Sequence, residues 1–488
     1  MALAFIPLYI KYLGIEAYGL IGLFGVLQAW LALLDMGMTP TLNREMARFA
    51  GGIHSAVSIR DLLRSIEIIA LCIAILVGLV IWAVSGWLAS DWLRAEKLPI
   101  ATVAQAFTIM GAVTSLRFVE GIYRSAIIGL QRQVLYNGVN SALATVRGLG
   151  AVGILMWVSP TIEAFFVWQG LISILTLSVL AGVTYRTLPK AERGAQFSIP
   201  AIRGIGLFAG GMMGITFLAL LLTQVDKILL SKLLTLSDYG YYSLATVVAG
   251  ALYTLVGPIT QAWFPRLSEL HAANNQAELI SKYHQGAQLV SVFMGSAAII
   301  MIAFAEPILL LWTRDADLAR RSATLLSILA LGNLLNGLMW IPYQTQLAHG
   351  WTGLAIRTNI VSVTLIVPAI LWVTPRYGAE GAAWVWVILN SGYVIISIHF
   401  MFHRILQVEK WRWYGRDVFQ PLLIAGLVAG VCTQFMPPNM TLPQQLAWLV
   451  LVSAFTLLGS ALAASLIRQS IVSGLKALSR KLDLKRIA

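Results

Sequence analysis

Runs of apolar residues, separated by short polar stretches, recur from one end of the chain to the other. A helix rises about 1.5 Å per residue, so about 20 apolar residues cross a bilayer core of roughly 30 Å. The runs predict about fourteen transmembrane segments, at 1–13, 17–38, 65–89, 100–123, 134–158, 163–185, 205–230, 239–262, 285–311, 322–345, 355–374, 381–402, 418–436 and 446–467. The expected fold is an all-α polytopic membrane protein. The first run is too short for a full span and is expected to be a helix shortened by a late start codon or truncation.

Composition sharpens this reading. Of 488 residues 58% are hydrophobic and only 11% charged. A soluble domain carries roughly 25% charged residues, so this chain lacks the charge to cover a water-soluble globule. Cys72 and Cys432 both lie inside apolar runs and form neither a disulfide framework nor a metal motif. The net charge of +13 comes from basic residues scattered over short loops, which excludes a nucleic-acid-binding patch. With the N-terminus in the cytoplasm, the loops and tail on the inner side hold 23 Lys and Arg and the outer loops hold 8. The positive-inside rule then places both termini in the cytoplasm of a multi-pass protein of the bacterial inner membrane. In the tail, residues 468–488, Ile471, Leu475, Leu478 and Leu482 recur at helical spacing among Lys476, Arg480, Lys481, Lys485 and Arg486. That pattern predicts a basic amphipathic helix on the phospholipid surface; a frayed, solvated tail is the alternative.

The chain also repeats itself. Lys11-Tyr-Leu-Gly-Ile-Glu-Ala-Tyr18-Gly19 is echoed by Lys232-Leu-Leu-Thr-Leu-Ser-Asp-Tyr239-Gly240, each copy closing one apolar run and opening the next. Trp157-Val-Ser-Pro160 with Glu163 and Trp168 is echoed by Trp372-Val-Thr-Pro375 with Glu380 and Trp384. Six segments separate the copies, so both have the same membrane sense. The expected organisation is two parallel six-helix lobes, residues 1–195 and 196–402, with an extra helix pair over 403–467. Two facing lobes make a central cavity, an arrangement that favours transport over catalysis.

The same blocks carry a family resemblance. Gly14-Ile-Glu-Ala-Tyr-Gly19, Leu34-Asp-Met-Gly37 and Arg44-Glu45 look like the opening of bacterial polysaccharide flippases. Gln224-Val-Asp-Lys227, Tyr239-Gly-Tyr-Tyr242 and Tyr377-Gly-Ala-Glu-Gly-Ala382 agree in the second half. The chain resembles the polysaccharide transporter branch of the multidrug/oligosaccharidyl-lipid/polysaccharide exporter superfamily, which includes Wzx-type O-antigen flippases. The resemblance implies movement of an undecaprenyl-pyrophosphate-linked oligosaccharide from the cytoplasmic to the periplasmic leaflet. It also implies a lipid-linked oligosaccharide and other glycan-assembly membrane proteins as partners.

Ionisable residues inside apolar runs mark the candidate site, because charge in a bilayer is costly and usually lines a cavity or pairs. Arg117, Glu120 and Arg124 fall at i, i+3 and i+7, on one helical face, and Arg147 lies in the next segment. Arginine grips phosphate oxygens bidentately, so Arg117, Arg124 and Arg147 are expected to form a cationic path for a pyrophosphate head group. Alternatively, Glu120 neutralises its neighbours and the set locks two helices together. Asp35 and Asp226 are candidate ion-coupling carboxylates; a helix-end role for Asp35 and structural pairing for Asp226 are the alternatives. Asn140, Gln224, Gln261, Asn333 and Asn336 suit sugar hydroxyls or interhelical hydrogen bonds.

Other motifs dissolve in context. Gly148-Leu-Gly-Ala-Val-Gly153 matches a dinucleotide fingerprint but lies within an apolar segment, where helix packing is expected. His399 and His403 are spaced as a metal pair without a third ligand. No catalytic residue, cofactor or metal is expected. Two functional alternatives remain. One is a multidrug or lipid II exporter of the same superfamily. The other is a membrane glycan polymerase or ligase, which the short outer loops disfavour.

Overall fold

A computed structural model describes residues 2–35, 37–50, 52, 54–200, 206–437, 440–469 and 473. The expected amphipathic tail lies almost wholly outside these residues. Helices joined by loops make up the described chain, with one isolated bridge between Arg94 and Thr235. Ten of its helices are long and apolar enough to cross a membrane, and Ala4–Leu13 and Ile15–Leu31 are shorter apolar stretches. Outward-facing residues such as Trp82 and Ile388 are more than 60% exposed. In a spanning helix the backbone is satisfied internally, so apolar side chains can face lipid without cost.

Contacts divide the chain into two units, Met1–Gly240 and Tyr241–Ala488. The first holds α1 (Ala2–Leu13), α2 (Ile15–Leu34), α3 (Met38–Ala50), α4 (Ala56–Trp87), α5 (Ile100–Gly129), α6 (Gln133–Trp157), α7 (Ile162–Thr187) and α8 (Gly206–Leu233). Gly14 turns α1 into α2 at φ 83°, a conformation glycine adopts without steric penalty. Ser55 and Thr161 cap α4 and α7 by accepting the amides of Ser58 and Ala164. A π-helical turn, Leu88–Trp92, ends α4. A core of this unit joins Leu42 and Met46 of α3 to Ile59, Leu63 and Ile66 of α4 and Ile122 and Ala126 of α5. Helix α3 is absent from the segments expected above. Its mean hydropathy is too low for a span, but its buried Met38, Leu42 and Met46 make it a two-sided helix packed on the bundle.

Helix α9 (Leu236–Gly250) leads into the second unit, with α10 (Tyr253–Ala272), α11 (Gln276–Ala303), α12 (Ala305–Thr313), α13 (Ala316–Leu338), α14 (Trp340–Ala348) and α15 (Gly353–Gly392). A π-helical turn, Tyr393–Ser397, precedes α16 (Ile398–Arg404). Another, Trp413–Phe419, leads into α17 (Gln420–Gln434), and α18 (Leu442–Ala463) follows. Gly378, at φ 59° and ψ −150°, kinks α15 between the expected segments 355–374 and 381–402. Only glycine takes this conformation readily. The main core here gathers Tyr283, Val290 and Met294 of α11, Ala330 and Leu334 of α13, Met401 and Phe402 of α16, and Trp413.

Element ends recur at the spacing of 221 residues that separates Lys11 from Lys232. The α4 stretch closes at Trp92 and α12 at Thr313, 221 residues on; α6 begins at Gln133 and α15 at Gly353, 220 residues on. Within the first unit the two copies of the Tyr-Gly motif meet. A Cβ on Gly19 would lie 2.7 Å from the carbonyl oxygen of Leu236, and one on Gly240 would lie 2.4 Å from that of Ile15. Ile15 and Leu236 are themselves counterparts, so the contact is reciprocal. The buried Glu16 carboxylate stabilises the same end of the bundle, accepting the backbone amides of Glu96 at 2.7 Å and Lys97 at 2.9 Å.

Candidate functional site

Helices α2, α5, α6 and α7 of the first unit surround a cavity of about 510 Å³. The helical spacing of Arg117, Glu120 and Arg124 puts all three on its wall, with Arg147, Asn140 and Asp35. Six of the eleven residues proposed from sequence therefore share one site. Gln28, Thr39, Tyr136 and Thr176 also line it. Each is uncharged and so lacks the signal that makes a charge in an apolar run stand out.

The charges are only partly compensated. Arg147 approaches Glu120 at 3.7 Å and donates to Thr176 Oγ1 at 3.2 Å. Trp168 Nε1 donates to the Arg147 carbonyl at 3.0 Å, fixing α7 against α6. Arg117 donates to Gln169 Oε1 at 2.7 Å and lies 4.9 Å from the centre of the Phe24 ring. The buried atoms Arg117 Nε, Arg147 Nε and Gln28 Nε2 have no hydrogen-bond partner among the described residues. Buried donors of this kind are costly unless something accepts from them. The cavity wall thus carries three guanidinium groups and two carboxylates, which suits an anion with several acceptor oxygens.

Asp35 has a local task as well. Its carboxylate accepts the amide of Thr39 at 3.1 Å and the Thr39 hydroxyl, capping the start of α3 while lining the cavity. The helix-end and cavity roles coincide in this residue.

The other proposed residues lie elsewhere. Gln224 accepts from Lys227 at 3.3 Å on α8. Asp226 is on the same helix, and neither residue lines the cavity. In the second unit Tyr253 donates to both Asn333 and Asn336, Trp386 donates to Asn333 at 3.0 Å, and Asn336 donates to Asn390 at 2.8 Å. These bonds tie α10, α13 and α15 together. Gln261 is exposed on α10. Gly148 and Gly150 admit Phe5 and Trp168 so closely that a Cβ would collide with either ring, which is helix packing. His399 Nδ1 accepts from Lys410 at 2.9 Å, and no group of metal ligands occurs among the described residues.

The second unit holds a cleft of about 560 Å³ between the arms of α15 and the turn that follows. Its wall is mostly apolar, with Leu354, Val361, Leu365, Ile388 and Phe400 among the lining residues.

A polytopic bundle with a charged cavity and such a repeat has the architecture of a membrane carrier. Its fold matches that of the lipid II flippase MurJ in an inward closed conformation, with a TM-score of 0.71, 11% identity, and 96% of this chain and 97% of that chain covered. An inward-facing multidrug-resistance MATE transporter of the MOP superfamily matches with a TM-score of 0.65 and 13% identity, over 84% of this chain and 94% of that one. A putative O-antigen transporter of Shigella flexneri is 20% identical over 378 residues, 77% of this chain and 87% of that protein. Residues 13–314 match the model of the polysaccharide biosynthesis protein family, and the chain belongs to that family.

Proposed function

We propose that the chain is a flippase that carries undecaprenyl-pyrophosphate-linked oligosaccharide units from the cytoplasmic to the periplasmic leaflet of a bacterial inner membrane. The observation that carries this reading is the convergence of Arg117, Arg124 and Arg147 on one cavity inside apolar helices. Buried guanidinium groups with unfilled donors match the acceptor-rich pyrophosphate that joins sugar to lipid. Glu120 and Asp35 lower the net charge of the wall, so the anion is held without being trapped. Asn140, Tyr136 and Thr176 then offer hydrogen bonds to the first sugars. The two lobes rock about the repeat axis to alternate access, driven by an ion gradient, with both termini cytoplasmic.

The test uses a strain lacking this gene and any redundant flippase. Newly made lipid-linked glycan is tracked with a periplasm-restricted lectin or glycosidase. The expected result is accumulation on the cytoplasmic leaflet, rescued by the wild type and not by Arg147→Ala at equal expression. Normal periplasmic exposure in the deletion strain overturns the reading.

A further inference from the structure

A second cluster of ionisable groups lies in the other unit. His284 and Gln288 are one turn apart on α11 and fully buried. Asp417, from the π-helical turn before α17, is equally buried, and Glu409 precedes that turn. His284 Nδ1 bonds to Asp417 Oδ2, and His284 Nε2 bonds to Glu409 Oε2 at 2.8 Å. Gln288 donates to Asp417 Oδ1 at 2.9 Å and accepts the backbone amide of Leu466, just beyond α18, at 2.9 Å. One imidazole and one amide thus connect α11 to the start of α17 and the end of α18.

The hydrogen inventory of this cluster does not close without an extra proton. A neutral imidazole has one N–H and one lone pair, while an ionised carboxylate only accepts. With both acids ionised and the ring neutral, one ring nitrogen would set its lone pair against a carboxylate oxygen. A single further proton on the ring satisfies both contacts. Charge points the same way. Arg412 donates to Glu409 at 3.3 Å, so imidazolium, guanidinium and two carboxylates sum to zero. Without the proton these four groups carry one net negative charge while the Asp417 carboxylate is fully buried, a costly state. The Tyr283 ring stands edge-on to the imidazole, with 5.3 Å between ring centres.

We propose that His284, Asp417 and Glu409 form a buried proton-binding site, and that its occupancy holds α17 and α18 to α11. The ligand is one proton, resident on the imidazole. When the proton leaves, a lone pair faces a carboxylate, and the bonds that carry the last two helices weaken together. The inference goes beyond the flippase reading and is tested without any transport assay.

The conservative variant Glu409→Gln separates the proton from the fold. The new amide donates an N–H to Nε2 in place of the oxygen that Arg412 also bonds, and a neutral ring donates Nδ1–H to Asp417, so both ring contacts are satisfied with no extra proton. The full chain, labelled with 15N at its six histidines, is placed in nanodiscs and its imidazole nitrogens are read by NMR. The His284 signals are those that shift in Glu409→Gln and vanish in His284→Gln. At pH 7 the wild type is expected to show both nitrogens of His284 protonated, and Glu409→Gln only one. Hydrogen exchange over 413–419 and 465–466, corrected for intrinsic rates, is expected to speed by about tenfold or more in the wild type once the doubly protonated signal is lost on raising the pH. In Glu409→Gln it should stay flat. A singly protonated ring in the wild type at pH 7, or the same pH-dependent exchange in Glu409→Gln, overturns the proposal.

Discussion

Replacing Gly240 by alanine tests the reciprocal contact of the repeat. The added Cβ would lie 2.4 Å from the Ile15 carbonyl oxygen and 3.1 Å from Ile15 Cγ1. The carbonyl belongs to the first turn of α2, so it retreats only if the helix moves. Overpacking of this kind costs about 1–3 kcal/mol. Alanine also favours the helix by about 1 kcal/mol over glycine, which offsets part of the cost. Gly25, on α2 with nothing within 4 Å of its Cβ position, receives only the favourable part. Gly240→Ala should therefore be less stable than Gly25→Ala by about 1–3 kcal/mol, roughly a 5- to 150-fold difference in the folded-to-unfolded ratio. Gly19→Ala should fall on the same side, since its Cβ would meet the Leu236 carbonyl at 2.7 Å. The assay is equilibrium unfolding in mixed detergent micelles, with the single variants and the Gly19→Ala/Gly240→Ala pair. The two glycines share one contact, so the pair should cost less than the sum of the singles. Equal stability of Gly240→Ala and Gly25→Ala refutes the reasoning.

Two further predictions follow from charged contacts of the first unit. Burial raises the Glu45 carboxyl, but hydrogen bonds from His54 at 2.7 Å and Arg48 at 3.1 Å more than reverse this and leave it below the ordinary carboxylate value. A lowered folded-state pKa contributes stability present above the unfolded value and lost as pH falls through the folded one. The stability gap between wild type and Glu45→Gln, measured by unfolding midpoints, should thus hold from neutral pH to about 5 and close below about 4; a gap independent of pH counts against it. Asp61 holds the stretch after α7, pairing with Arg193 and accepting the Gln196 amide at 2.8 Å. Asp61→Ala removes charge-assisted bonds of about 1.5–3 kcal/mol each and should speed tryptic cleavage at Lys190 and Arg193 by about tenfold or more; an unchanged rate rules out that tether.

What the sequence made legible followed from physics that acts along the chain. Apolar runs mark spanning helices because the bilayer demands length, and the kink at Gly378 falls between two runs already separated by pattern. Arg117, Glu120 and Arg124 could be grouped because they share one helix and one face. Arg147 and Asp35 join them through tertiary packing, yet they stood out as charges in apolar surroundings. Helix α3 escaped notice because it is neither apolar throughout nor charged throughout. Gln28 and Thr176 carry no local signal that distinguishes a cavity wall from a helix contact. Asn333 and Asn336 show the reverse: they look like ligand-binding residues, and their bonds are spent on Tyr253, Trp386 and Asn390. The His284–Asp417 pair spans 133 residues of sequence, and neither residue announces the other.

The meeting of Gly19 with Leu236 and of Gly240 with Ile15 has the form of a homodimer interface, in which residue i touches j of the partner and j touches i. It is the contact that two copies of a half-length ancestral chain would make across a two-fold axis before duplication and fusion. In such a dimer one glycine serves both sides. After fusion each side needs its own, and a mutation on either is no longer mirrored. The short Tyr-Gly echo is thus held in place by two backbone oxygens, each leaving no room for a side chain at the glycine it faces.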